Sequence, residues 1–138
     1  MIAPDSSVTI AAAAPWHVAH EAAVNALAAE RASLIGHVAY ETAAAMSRMP
    51  EGHRLAPAVV LEWLERRFPD RWLVMPAAAT RRALRTAVGH GIRGGVLCDG
   101  LIAATAALDK HTLVSADRRA AAVYAAFGID VIYIVAGS

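Results

Sequence analysis

Four acids stand where apolar runs of the 138-residue chain give way to helical periods: Asp5, Glu41, Asp99 and Asp117. Asp5 closes the apolar run 1–4, and Asp117 follows the run 113–115. Asp99 opens a helical period after the apolar segment 96–98, and Glu41 lies one turn into the period after 33–35. Gathered into one pocket, two such carboxylates ~4 Å apart repel by about 1 kcal/mol in water and about 4 kcal/mol at an effective dielectric of 20. A hard divalent cation cancels that repulsion, and an oxygen-only ligand set suits Mg²⁺, with Mn²⁺ next, rather than Zn²⁺. A carboxylate-held Mg²⁺ keeps several waters, one of which can attack a phosphate whose growing charge the ion neutralises. The reaction this chemistry points to is phosphodiester hydrolysis.

Each acid also has a use that needs no metal. Asp99 and Asp117 both precede helical periods, and Asp is a favoured helix N-cap worth about 1 kcal/mol. Glu41 alone is an ordinary helix glutamate, and Asp5 can start a turn with Ser6 and Ser7. Only the elements that position the four acids can bring them into a shared pocket.

Short runs at 1–4, 33–35, 72–75, 113–115 and 131–135 read as buried strands. Helices are predicted over 16–29, 38–49, 57–68, 77–88, 99–108 and 118–127, with Pro57 opening the third and Gly128 closing the last. Strands alternating with helices mean an α/β fold, a mainly parallel sheet with helices on both faces. In such sheets the ligand crevice lies outside the carboxyl ends of the strands, the edge at which these acids fall.

The chain has the length of one domain, and no repeat or linker divides it. Its mean hydropathy of +0.42 owes much to alanine, and the longest weakly polar stretches, 8–14 and 101–108, fall well short of a spanning helix. The first Lys or Arg is Arg31, so the start lacks the cationic opening of a signal peptide, and the cytoplasm is the expected compartment. The lone Cys98 excludes an internal disulfide and a multi-cysteine metal site, and beside Asp99 it reads as a small buried hydrophobe. A net charge of +1 excludes a polybasic nucleic-acid binder, so any RNA contact is local.

The segments MIAPDSSV (1–8), VAYETAAA (38–45), CDGLIAATAA (98–107) and TLVSADR (112–118) together resemble PIN-domain ribonucleases, and among them the VapC toxins of type II toxin and antitoxin pairs. DGLIAATA followed by LVSADR is the most specific pair. The resemblance implies a PIN-like α/β/α sandwich across residues 1–138 and a metal-dependent endoribonuclease. It makes Asp5, Glu41, Asp99 and Asp117 the catalytic, metal-binding acids, with Ser7 and Ser115 supporting them or the scissile phosphate. It further implies an RNA substrate such as tRNA or rRNA, a homodimer, and a cognate antitoxin that holds the toxin inactive. The chain departs from the family at Pro4, where an aliphatic residue is usual, and at Arg119 and Ala120, where a second acid and Phe often follow the last aspartate.

Among the remaining residues, Arg81 and Arg85 share a helical face with Arg82, His90 and Arg93 nearby, and with Arg118 they are candidate RNA contacts. Arg66, Arg67 and Arg71 have Glu62 and Glu65 at hand as helical partners. Trp63, Leu64 and Phe68 read as core, with a groove for an antitoxin helix as their other use. His17 and His20 lack a third ligand for zinc. A different class of function is a catalytically weak or inactive PIN-like binding protein, for which Pro4 and Arg119 speak. A receiver domain would want an acidic pair at the first strand end, and an aspartyl phosphatase a second Asp where Ser7 stands.

Overall fold

A computed structural model describes residues 1–135. Three parallel strands, β1 (Ile2–Pro4), β2 (Thr112–Ser115) and β3 (Val131–Tyr133), form a sheet in that order. Seven helices accompany them: α1 (Ser6–Ala13), α2 (His20–Ala29), α3 (Gly36–Ser47), α4 (Pro57–Arg67), α5 (Ala77–Gly89), α6 (Leu97–Leu108) and α7 (Ala121–Ala126). The α/β class and the parallel sheet are as expected. No helix among the described residues is long and apolar enough to cross a membrane.

Several boundaries differ from the sequence reading, each for a local reason. Helix α1 was not expected. Asp5 caps it by accepting from the Val8 amide, and its nearly uniform apolar composition hides the helical period. Residues 16–19 form turns, so α2 begins only at His20. Asp99 is the third residue of α6 rather than its cap, because a 3-10 turn over Gly94–Val96 leads into the helix early. Asp117 does cap, although the turn it caps, Arg118–Ala120, is 3-10 and hands over to α7. Gly128, at φ +64, ends α7 as a left-handed cap that passes the chain on toward β3.

The expected strands 33–35 and 72–75 shrink to isolated bridges, Ile2 with Ala32 and Ile35 with Leu73. Pro4 accounts for the first. The Ile2 amide donates to Arg31 and the Ser33 amide to Ile2, so the next donor on that side belongs to residue 4, which has none. Pairing on the other side is undisturbed, for Pro4 stays in register with Val114 and the Asp5 amide donates to the Val114 carbonyl at 2.9 Å.

The core joins Ile2, Ala3, Leu113 and Val114 of the sheet to Val8, Val38, Met46, Leu64, Phe68, Ile102 and Tyr124 of the helices. Leu64 and Phe68 are buried in the core, and the half-buried Trp63 packs against it. Two devices set the helices that carry the acids. Thr9 on α1 and Thr42 on α3 share a buried hydroxyl contact of 2.6 Å, next in sequence to Glu41. Gly100, beside Asp99, lies so close to Phe127 that a Cβ there would come within 2.9 Å of the ring.

Candidate active site

Asp5 is 3% exposed and held on every side. Its carboxylate accepts from the Ser7 hydroxyl, from the Val8 amide and, at 2.7 Å, from the Tyr124 phenol. Ser7 in turn accepts from the Ala116 amide at 2.8 Å, so one hydroxyl joins the acid after β1 to the backbone after β2. Burial pushes the Asp5 carboxyl up, and the hydroxyls of Ser115, Ser7 and Tyr124 with the Val8 amide pull it back. The Tyr124 phenol is pushed far up by burial and then by the neighbouring Asp5 charge, so it stays a donor.

Asp99 reports the rest of the cluster. Its carboxyl is raised to about 6, first by burial and then by the charges of Asp5, Glu41 and Asp117 in that order. Asp99, on α6, thus feels the charges of the other three predicted acids, which come from the end of β1, from α3 and from the turn after β2. Glu41 is half-buried, and its Oε1 is shut from solvent with no hydrogen-bond partner. Asp117 is held below the usual carboxylate range by the Arg119 side chain, which forks onto both its oxygens at 2.9 and 3.0 Å. Ser115 accepts from the Asp117 amide at 3.1 Å and shapes the turn that presents it.

The set fits a hard cation: it is rich in carboxylates, one raised by burial and then by its neighbours, and one with an oxygen lacking any donor. The Arg119 fork is a competitor for such an ion, and it is exposed. Exposed pairs contribute little, so Arg119→Ala is expected to tighten Mg²⁺ binding only modestly, by less than about tenfold. Calorimetric titration of the variant with Mg²⁺ checks this, and an unchanged affinity means that the fork does not stand in the ion's way.

The sequence reading treated the pocket as oxygen-only, and it is not. His37, four residues before Glu41 on α3, lies with Nε2 at 3.7 Å from the Glu41 carboxylate. Cys98 is half-buried with its thiol beside the same pair, not the inert core residue expected. Helical i, i+4 spacing and adjacency to Asp99 were the available signals. Tyr124 left no comparable trace, being one aromatic in an alanine-rich helix. His17 and His20 make ordinary backbone bonds, accepting from the Ala19 amide and pairing with the Ala11 carbonyl. Arg81 and Arg85 are exposed on α5, which packs against α6. Arg118 lies over the Tyr133 ring at 4.5 Å, at the carboxyl ends of β2 and β3.

Comparison with known proteins gives the family of the chain. The sequence profile of the PIN domain family matches residues 2–126. Ribonuclease VapC40 of Mycobacterium tuberculosis is 37% identical over 131 residues, 95% of this chain and 97% of that protein. Ribonuclease VapC27 of the same species is 34% identical over 131 residues, 95% of each. The crystal structure of FitAcB from Neisseria gonorrhoeae superposes with a TM-score of 0.69 over 96% of both chains at 23% identity, a likeness of fold. The chain belongs to the PIN domain family, in its VapC branch.

Proposed function

We propose that the chain is a toxin endoribonuclease, a single PIN domain over its whole length, that hydrolyses RNA phosphodiester bonds with Mg²⁺ or Mn²⁺. The observation that carries this is the Asp99 carboxyl, raised to about 6 in a pocket it shares with Asp5, Glu41 and Asp117. These four acids would hold the ion, which supplies a polarised water and neutralises charge on the scissile phosphate. The chain's own residues do the rest. Ser7 and Tyr124 fix the Asp5 oxygens, Ser115 fixes the turn of Asp117, and Thr9 and Thr42 set α3 so that Glu41 faces the pocket. The exposed Arg118 beside the strand ends, with Arg81 and Arg85 farther out, is suited to phosphate contacts.

On this reading, which the relatives named as VapC ribonucleases favour, the substrate is tRNA or rRNA, the partner a cognate antitoxin, the chain a homodimer and its compartment the cytoplasm. The test is cleavage of total cellular RNA by the purified chain, freed of any copurifying antitoxin, with Mg²⁺, with EDTA, and with Asp99→Asn alongside. Discrete Mg²⁺-dependent bands absent from the variant are expected. Intact RNA from folded, partner-free protein with either ion would shift the reading to a binding protein with a weak site, which the Arg119 fork on Asp117 favours.

A further inference from the structure

The one thiol of the chain meets a histidine and a carboxylate at the rim of the acid pocket. A nitrogen of His37, an oxygen of Glu41 and the sulfur of Cys98 all lie within 4.8 Å of one another. The His37 Nε2 and Glu41 Oε1 atoms are shut from solvent with no hydrogen-bond partner, a costly state for buried polar atoms. The other Glu41 oxygen, Oε2, approaches His37 Nε2 to 3.7 Å, an ion-pair distance that is too long for a hydrogen bond. His37 and Glu41 sit one turn apart on α3 and Cys98 in the first turn of α6, so both backbones are fixed while the side chains can still turn.

We propose that His37, Glu41 and Cys98 form a site for Zn²⁺, distinct in donor chemistry from the four-acid site but sharing Glu41 with it. Nitrogen, oxygen and sulfur donors are the set that Zn²⁺ takes, and bond lengths of about 2.0–2.3 Å in a tetrahedral site put ligand atoms about 3.3–3.6 Å apart. Closing from the present spacing requires shifts of about 1 Å, within the reach of side-chain torsions, and leaves a fourth position for water. Binding replaces the thiol proton of Cys98, which passes to solvent, and gives the two orphaned atoms a partner. Mg²⁺ cannot take the same seat, since it favours an octahedron of oxygens over thiolate and imidazole. Because one carboxylate serves both sites, Zn²⁺ held here draws Glu41 from the other three acids and opposes Mg²⁺. The binding stands on the geometry alone, whereas the antagonism rests on the nuclease reading.

Co²⁺, a spectroscopic stand-in for Zn²⁺, tests the binding without reference to activity. Titrated into the full chain under reducing conditions, it is expected to give a thiolate-to-cobalt charge-transfer band that Zn²⁺ abolishes. Cys98→Ser is expected to lose the band and to weaken Zn²⁺ binding, read with a competing chelator, by at least about tenfold, a scale that even the outer partners of a metal site command. His37→Gln is expected to weaken it similarly, and both variants are checked for native circular dichroism. In the nuclease assay Zn²⁺ is expected to inhibit in the presence of excess Mg²⁺, and Cys98→Ser, measured against its own zinc-free rate, to need at least about tenfold more Zn²⁺ for the same inhibition. A Co²⁺ spectrum without the thiolate band, or Zn²⁺ binding equal in the wild type and both variants, overturns the site. A band with no zinc inhibition of an active enzyme overturns the antagonism alone, and a band from a chain that cuts no RNA upholds the site while the nuclease reading fails.

Discussion

Asp99→Asn is expected to abolish Mg²⁺-dependent cleavage and, in the metal-free protein, to raise the melting temperature. The first effect follows from removing an acid at the centre of the cluster. It is expected to exceed about a hundredfold, the upper range for changes to groups that merely support a metal site. The second effect separates a metal pocket from an ordinary helix start. Asp99 titrates at about 6 in the folded chain against 3.8 outside it, so its ionised form is disfavoured by folding. At full strength such a shift is worth about 3 kcal/mol, but the side chain is only about half buried, and screening reduces this to about 1 kcal/mol. A folded-state pKa raised above the unfolded value gives stability that is fully present below 3.8 and is lost as pH rises through about 6. The variant escapes that loss. Its melting temperature is expected to be about 3 °C above wild type near pH 8, with the gap closing toward pH 4. Added Mg²⁺ is expected to stabilise the wild type more than the variant. Scanning calorimetry with and without EDTA reads both effects, and a variant less stable than wild type at high pH would show that Asp99 serves the fold rather than a cation.

The second large effect is expected at a residue that touches no substrate. Tyr124→Phe removes a 2.7 Å bond to the Asp5 carboxylate and leaves that oxygen buried without its donor. Bonds of this charge-assisted kind contribute about 1.5–3 kcal/mol. The Asp5 carboxyl, already raised by burial, then rises further, so its charged form is less favoured and a cation has more to offset. Mg²⁺ affinity is expected to fall by about tenfold, equivalent to about 1.4 kcal/mol, with the deficit narrowing as pH rises. The sign for stability runs with the same charge. The penalty is largest above the raised Asp5 pKa and fades as pH falls through it, because a protonated Asp5 needs the phenol less. A pH series of Mg²⁺ titrations on the variant checks this, and a deficit independent of pH would place Tyr124 in packing alone.

The acids were legible in the sequence because apolar runs mark strand ends and acids at those ends stand out. Their mutual surroundings were less so. Asp5 reads as a strand end with a turn after it, yet it caps a helix whose alanines carry no amphipathic period. The partners of the acids come from far along the chain, Tyr124 to Asp5 across 119 positions and Ser7 to the Ala116 amide across 109, and no local pattern encodes such pairings. Glu41 could be placed near the crevice, but the thiol of Cys98 beside it depends on how α6 crosses α3. Pro4 is visible in the sequence as a proline in a strand, although which side of the strand it weakens follows only from the alternation of donors along β1.

That missing donor divides the acid set mechanically. Asp5 and Asp117 rise from ends of strands laced to each other through β2 and by the Ser7 hydroxyl, and Asp99 rides on α6, which packs on β2. Glu41 belongs to the other panel, where segments 32–35 and 72–75 hang on single bridges and a few backbone bonds. The fastenings there include side chains, Thr9 to Thr42 and Ser33 to His111. Amides of Leu34, Ile35 and Leu73 should therefore exchange with deuterium sooner than those of Leu113 and Val114, in an opening short of global unfolding. On the metal-site reading, three of the acids would then be seated on the sheet side, while Glu41 would answer to a panel held mainly by side chains.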